Sequence, residues 1–287
     1  MDTNTLQAFL AVAESGTFSR AAERLLLTQP AVSKRISALE EELSAKLFER
    51  LGRKVMLTEA GRVLLPKARH ILEEMADSRL LIANLASEVT GVLQLATSHH
   101  IGLRRLPGVL RSYRRRYPQV DFDLHFMNSE AGYGAVAAGD VELALVTLPE
   151  ALQEHLEITP VWEDPLLLMV GREYVLASER GNVAVLMDHA AILPERGTVT
   201  RRLIDEGLAI LGIVPRVGVE TNYLETIRML VAAGFGWSVL PLAMLDSDLR
   251  VIELAGVRFH RRLGLVHRRN RTISKAARAF CDMLVVA

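Results

Sequence analysis

A single cysteine, Cys281, occurs in the 287 residues, which excludes an internal disulfide. No cysteine or histidine cluster surrounds it to build a structural zinc site, so it reads as a small core residue. No run of about eighteen apolar residues exists, and the start "MDTNTLQAFL" lacks the basic-then-apolar order of a secretory signal. Neither a membrane span nor export is expected, and the cytoplasm is the expected compartment. Aromatics make up only 5% and formal net charge is zero, so the chain as a whole exerts no pull on a polyanion. Catalytic signatures are missing too. There is no nucleophile elbow or phosphate loop, and "GFGWS" near Gly234 lacks the order of a dinucleotide-binding glycine motif. No enzyme, metal or cofactor is expected.

What is present suits about two or three globular domains, since 50% of residues are hydrophobic and 24% charged. Charge is uneven near the N-terminus. Arg20, Arg24, Lys34 and Arg35 against Glu23 form one basic block, and Lys46, Arg50, Arg53 and Lys54 against Glu49 form a second. Glu40, Glu41 and Glu42 separate them. Taken alone, each block is also consistent with a solvated face.

Helical periodicity adds meaning to the blocks. Leu6, Phe9, Leu10 and Ala13 make an apolar stripe that stops at Gly16, and Ser19 is positioned to cap a second short helix containing Ala21, Ala22 and Leu25. Thr28 or Gln29 opens a third helix with Pro30 in its first turn. Val32, Ile36, Leu39 and Leu43 turn inward, which leaves Gln29, Ala31, Ser33, Lys34 and Arg35 facing out. Such a face suits the DNA major groove, where side chains near a helix N-terminus reach base edges. Leu47 and Phe48 read as core, Gly52 as a tight turn, and Val55 and Leu57 as one side of a small strand. A two-stranded wing follows, with Arg50, Arg53 and Lys54 at its tip as phosphate contacts.

The run "FLAVAESGTFSRAAERLLLTQPAVSKRISALEEELSAKLFERLGRKVMLTEAG" resembles the winged helix-turn-helix of LysR-type transcriptional regulators, almost throughout and without a gap. The resemblance implies that Gln29, Pro30, Ala31, Ser33, Lys34 and Arg35 form the recognition element. It implies that Ser19 and Arg20 touch the DNA backbone, and that Arg50, Arg53 and Lys54 lie on the wing.

A long helix is expected next, from Thr58 as cap to about Ser87. Leu64, Ala68, Ile71, Met75, Ser78, Ile82, Leu85 and Val89 repeat at four and three residues, a heptad seam that a second copy would bury; Pro66 lies within it and is expected to bend the helix or disturb its first turns. The alternative is a helix lying against the chain's own mass. Leu64, Ile71, Met75, Ile82 and Leu85 are the expected dimerisation contacts. The resemblance implies a homodimer, commonly a dimer of dimers, on an interrupted palindromic promoter site, with RNA polymerase as a further partner that this role allows.

From Gly91 strands alternate with helices: "VLQLAT", a helix over "GLRRLPGVLRSYRRRYP", then "VDFDLHF", "EAGYGAVAAGD" and "VELALVT". A second series begins near Trp162. Two α/β lobes with a crevice between them are expected, resembling type II periplasmic binding proteins, and ligands bind beyond the carboxyl ends of such strands. The expected domains are residues 1–58 for DNA binding, 59–90 for the linker helix, and 91–287 for effector binding. Lobe I takes 91–161 and 267–287 and lobe II takes 162–266, with crossings near Thr159 to Trp162 and Arg262 to His267.

Ser98, His99, His100, Ser129 and Thr147 lie at strand ends or helix starts of the first lobe, and Thr198, Thr200, Arg201 and Thr221 at helix starts of the second. Hydroxyls with helix N-termini make an anion receptor; each hydroxyl alone is better explained as a cap, and it is their convergence on one crevice that favours a ligand. The resemblance implies a small organic acid. Adjacent His99 and His100 point to opposite sides of an extended chain, lack metal-ligand spacing, and read as polar lining. The expected function is a DNA-binding regulator controlled by a small carboxylate. The alternatives are ligand-independent regulation, or a two-lobed binding protein or enzyme.

Overall fold

The structure is a computed structural model and describes residues 1–51, 54–149, 154–175, 183–253 and 256–285. It divides into two compact units, Met1–Ala86 and Ser87–Ala287. None of its helices is long and apolar enough to cross a membrane among the described residues.

In the first unit α1 (Thr3–Ser15) opens on Asp2, whose carboxylate accepts from the Thr5 N–H at 2.8 Å. It stops at Gly16, which adopts φ 68° and donates to the Val12 carbonyl; a side chain would be strained there. The second helix, α2 (Phe18–Arg24), is capped by Thr17, whose hydroxyl accepts from the Arg20 N–H at 3.3 Å. This corrects the expectation that Ser19 is the cap. The helix begins two residues earlier, at Phe18, whose ring meets Phe48 edge-on at 6.0 Å, and Ser19 lies exposed in the first turn.

α3 (Gln29–Glu42) is capped by Thr28 and carries Pro30 where its missing N–H costs little. Val32, Ile36 and Leu39 are buried, but Leu43 is 37% exposed. The helix ends at Glu42, and Ser44 takes φ 49°, so the next turn that would carry Leu43 inward never forms. Glu40 is not a solvated spacer. It is 8% exposed, and its carboxylate accepts from Leu47 N–H at 2.9 Å and Lys46 Nζ at 2.6 Å. That ties the end of α3 to the start of the wing.

The wing pairs β1 (Phe48–Leu51) antiparallel with β2 (Lys54–Leu57). Its expected turn, Gly52, and the phosphate contact Arg53 lie outside the described residues. α4 (Glu59–Ala83) is capped by Thr58 and runs unbroken through Pro66. It stops four residues short of the expected Ser87 and spans roughly 38 Å at about 1.5 Å per residue. Its seam changes character along its length. Ala68 is buried in the core of this unit, with Leu64, Leu65, Ile71 and Leu72 packed against it, whereas Ile82 is 70% and Leu85, beyond the helix end, 84% exposed. The first half therefore lies against the chain's own mass.

The second unit is built on one nine-stranded sheet in the order β4-β3-β5-β11-β6-β9-β7-β8, with β10 beside β6. Its first lobe contains β3 (Gly91–Thr97), α5 (His99–Arg104), α6 (Leu106–Arg116), β4 (Val120–Phe126), α7 (Ser129–Ala138), β5 (Leu143–Thr147) and the returning α10 (Lys275–Val285). The second lobe contains β7 (Ala190–Leu193), α8 (Val199–Ile210), β8 (Arg216–Glu220), α9 (Leu224–Ala232), β9 (Trp237–Pro241) and β10 (Leu249–Val251). Two long strands, β6 (Leu156–Gly171) and β11 (Phe259–Arg268), run antiparallel through both. The crossings expected near Thr159 to Trp162 and Arg262 to His267 fall in the interiors of these two strands, with a register shift between Leu263 and Gly264. The single helix expected from Gly102 to Pro118 is two. Pro107 offers no N–H to continue the α5 ladder, and the chain breaks at Arg105.

Apolar faces explain the layering. Leu93, Leu95, Leu143 and Leu265 pack with Tyr113 of α6 and Phe280 of α10 on one side of lobe I, while Ala96, Ala144, Val146 and Val266 meet Val136 of α7 on the other. Cys281 packs against the first of these cores, and burial pushes its thiol up to about 12. Lobe II repeats the plan with Leu168, Trp237, Ile204 and Leu208 on one side and Met169, Leu240, Ile227 and Val231 on the other.

Candidate ligand crevice and nucleic-acid interface

The loops after β3, β5 and β7 and the starts of α5, α7, α8 and α9 converge on a crevice within the second unit. Lobe I lines it with Ser98, His100, Asn128, Ser129, Glu130 and Thr147, and lobe II with Pro194, Thr198, Val199, Thr200, Asn222, Leu224 and Arg261. Ser98, Ser129, Thr147 and Thr200 are all buried. Ser129 Oγ accepts from the Thr147 N–H at 3.1 Å, which ties the start of α7 to the end of β5. The Tyr133 hydroxyl donates to the Thr147 carbonyl.

Arg261 organises the floor. Only 3% exposed, it pairs through Nε with Asp164 Oδ2 at 2.8 Å; Asp164 is itself 2% exposed, and Arg105 approaches it at 3.5 Å. The Arg261 guanidinium also donates to Thr200 Oγ1 at 2.6 Å and lies 2.8 Å from His100 Nε2. A guanidinium has no acceptor, so His100 Nε2 must accept. Burial first, then Arg261, Arg105 and His99, hold His100 well below its ordinary value of 6.5. Its ring is neutral and carries its proton on Nδ1, which donates to Ser98 Oγ at 3.2 Å. With their oxygens already accepting, the Ser98 and Thr200 hydroxyls have their own protons free to donate.

This arrangement sets a pH dependence. Because the folded pKa of His100 is lowered, the unfolded chain takes up a proton near 6.5 that the folded chain refuses. The stability linked to neutral His100 is complete above 6.5 and is lost as pH falls below it. His100→Asn supplies an oxygen for Arg261 and an amide N–H for Ser98 without titrating. We expect melting curves of the wild type to move down in temperature below pH 6.5 and those of His100→Asn to move less. Parallel curves for the two would show that another group governs the acid limb.

Three expected lining residues stand elsewhere. His99 faces an aromatic pair, with ring centroids 5.8 Å from Phe126 and 5.0 Å from Tyr223. Arg201 is 2% exposed and donates to Asp205, Glu220 and the Pro194 carbonyl. The Thr221 hydroxyl accepts from the Tyr223 N–H at 3.3 Å. Thr198 lines the crevice and also caps α8. Arg261, Asp164 and Glu130 escaped sequence reasoning. Glu130 lies within an expected helix but carries no motif, Arg261 lies just before an expected strand, and only the fold brings Arg261 to His100, 161 positions away.

In the first unit Gln29, Pro30 and Lys34 are exposed on α3, Ala31, Ser33 and Arg35 are half-buried, and Ser19 and Arg20 are exposed on α2. Two charges counted in the basic blocks are tied down, Arg24 to Glu14 at 2.6 Å and Lys46 to Glu40 at 2.6 Å. Arg50 faces Val55 and Lys54 faces Leu51 in the wing register. Among the described residues no group of three or more His, Cys, Asp or Glu could hold a metal ion.

Residues 86–286 match the family described as the LysR substrate binding domain, and residues 3–62 match the bacterial regulatory helix-turn-helix proteins of the lysR family. An uncharacterised HTH-type transcriptional regulator of Azotobacter vinelandii is 64% identical over 107 residues, covering 37% of this chain and 74% of that protein. A probable RuBisCO transcriptional regulator of Cyanophora paradoxa is 32% identical over 291 residues, covering 98% of this chain and 90% of that one. The structure of full-length CbnR complexed with its target DNA is 25% identical with a TM-score of 0.63, covering 100% of this chain and 99% of the other.

Proposed function

Given that this chain belongs to the LysR family of DNA-binding transcriptional regulators, and is not an enzyme, we propose that a small carboxylate held in the lobe crevice controls its grip on a palindromic DNA site as a homodimer. The observation that carries the ligand chemistry is the set of four buried hydroxyls, two of them made donors by Arg261 and His100. Oriented donors in a water-poor crevice recognise an anion's oxygens, and leaving such a donor unmet costs on the order of 1–3 kcal/mol. A ligand of this kind acts by favouring one of two conformations, and only to the extent that it binds them unequally.

For DNA, the proposal assigns base contacts to Gln29 and Ser33 on the outward face of α3, with Pro30, Ala31, Lys34 and Arg35 beside them. Phosphate contacts fall to Ser19 and Arg20 and to the wing residues Arg50, Arg53 and Lys54. Gln29→Ala and Ser33→Ala should each lose roughly 1–3 kcal/mol of preference for the specific site over scrambled duplex, whereas Arg53→Ala should weaken both equally. Titrations on the two duplexes, repeated with each small organic acid that raises the melting temperature, test the reading. It fails for DNA if both helix variants keep full preference. It fails for control if a stabilising acid leaves DNA affinity untouched.

A further inference from the structure

The crevice already holds a carboxylate, and it belongs to the chain. Glu130, the second residue of α7 in lobe I, reaches across so that its Oε1 accepts from the Val199 N–H at 2.8 Å. Val199 is the first residue of α8 in lobe II, and Thr198 accepts from the Arg201 N–H of the same terminus at 3.2 Å. The chain thus takes up two of the N–H groups that a helix start leaves unsatisfied. The one buried cation of the crevice, Arg261, is paired with Asp164, while Glu130 forms no salt bridge among the described residues. An anion entering between the lobes therefore meets a negative charge that has no ion-pair partner among the described residues. Nor is this a chance surface contact. It joins the two lobes, as does the forked pair of Arg104 with Glu225 at 2.8 and 3.0 Å between α5 and α9.

We infer that Glu130 is a specificity-determining residue of the crevice, a resident carboxylate that holds the anion position at the α8 terminus until a ligand's own anionic group displaces it. The inference rests on the crevice being the effector site. Displacement exchanges one carboxylate for another at the Val199 N–H, so that bond alone adds little net affinity. Discrimination then falls to whatever else the ligand offers. A halide gains only the exchanged bond, whereas phosphate has further oxygens to offer. A small anion that also carries hydroxyl or carbonyl oxygens gains the donors of Ser98 and Thr200 as well, which Glu130 does not use. The class recognised is accordingly a small oxygenated acid, a carboxylate or phosphate with a second polar group. The same exchange removes a lobe-to-lobe bond of the ligand-free chain and replaces it with a bridge through the ligand, while Arg104 and Glu225 hold the other side.

The test uses the full chain and inorganic phosphate as the probe, following melting temperature against phosphate at constant ionic strength. Glu130→Gln keeps an oxygen for the Val199 N–H but removes the charge, and Glu130→Ala removes both. Each should bind phosphate roughly ten-fold more tightly than the wild type, the size expected for deleting one like charge at close range in a partly solvated site. Adding Ser98→Ala to either should take part of that gain away. If the Glu130 variants match the wild type while Ser98→Ala alone weakens binding, the crevice is an anion site and the resident-carboxylate inference is overturned. If phosphate stabilises none of these proteins, or stabilises the Glu130 variants without regard to Ser98, the effector reading of the crevice fails and takes the inference with it.

Discussion

Replacing Arg261 by Met while Asp164 remains should destabilise the effector domain by about 3–5 kcal/mol, the range for removing one partner of a buried ion pair. Both members are at most 3% exposed and meet at 2.8 Å, and among the described residues the other cation that pairs with Asp164 is Arg105 at 3.5 Å. The Met variant leaves a carboxylate in a place that water does not reach. Pairing Arg261→Met with Asp164→Leu removes both charges and should recover a good part of the loss, because well-packed apolar replacements of a buried pair are often close to neutral. Recovery should stop short of the wild type, since Thr200 and His100 each lose the donor that Arg261 supplies. Denaturant unfolding of the full chain reads both variants. A single variant within about 1 kcal/mol of the wild type would mean that Arg105 moves in and replaces the lost charge.

Asp at both Ile82 and Leu85 should split the proposed dimer without unfolding either unit. These positions are 70% and 84% exposed in the single chain, so a charge there disturbs nothing in its own domain. Across a two-fold interface the same charges would be buried in pairs, and the dimer dissociation constant should rise by roughly a hundredfold or more. Ile71→Asp, by contrast, should destabilise the first unit itself, because Ile71 packs against the core around Ala68. Sedimentation velocity at micromolar concentration separates the three proteins. A wild type that runs as a monomer there would remove the basis for a palindromic site.

The difference between Ile71 and Ile82 shows where reading a sequence stops. A heptad pattern states that one face of α4 must be covered; it does not state by what. Ala68, Leu64 and Ile71 are covered by the chain's own core. Ile82 and Leu85 look identical in the pattern and are left open. The same ambiguity misplaced the cap of α2, since Thr17 and Ser19 both carry a hydroxyl, and which one caps depends on where the ring of Phe18 packs. It also hid Glu40 among three consecutive acids, only one of which folds back onto the wing.

By itself the sequence determined whatever depends on neighbours within a few turns. The reading helix with Pro30 in its first turn, the stop at Gly16, the cap at Thr58 and the hydroxyls at strand ends follow from local rules of hydrogen bonding and periodicity, and they were enough to indicate a DNA-binding head and a two-lobed crevice. Tertiary structure alone decided the electrostatics of that crevice. Glu130 meets Val199 across 69 positions and Arg261 meets Asp164 across 97. Whether a carboxylate is solvated, buried against a guanidinium or lodged on a helix start depends on what the fold brings within about 3 Å, the range of a hydrogen bond. No local pattern encodes that distance, so the residues that set charge in the crevice became visible only once the chain was folded.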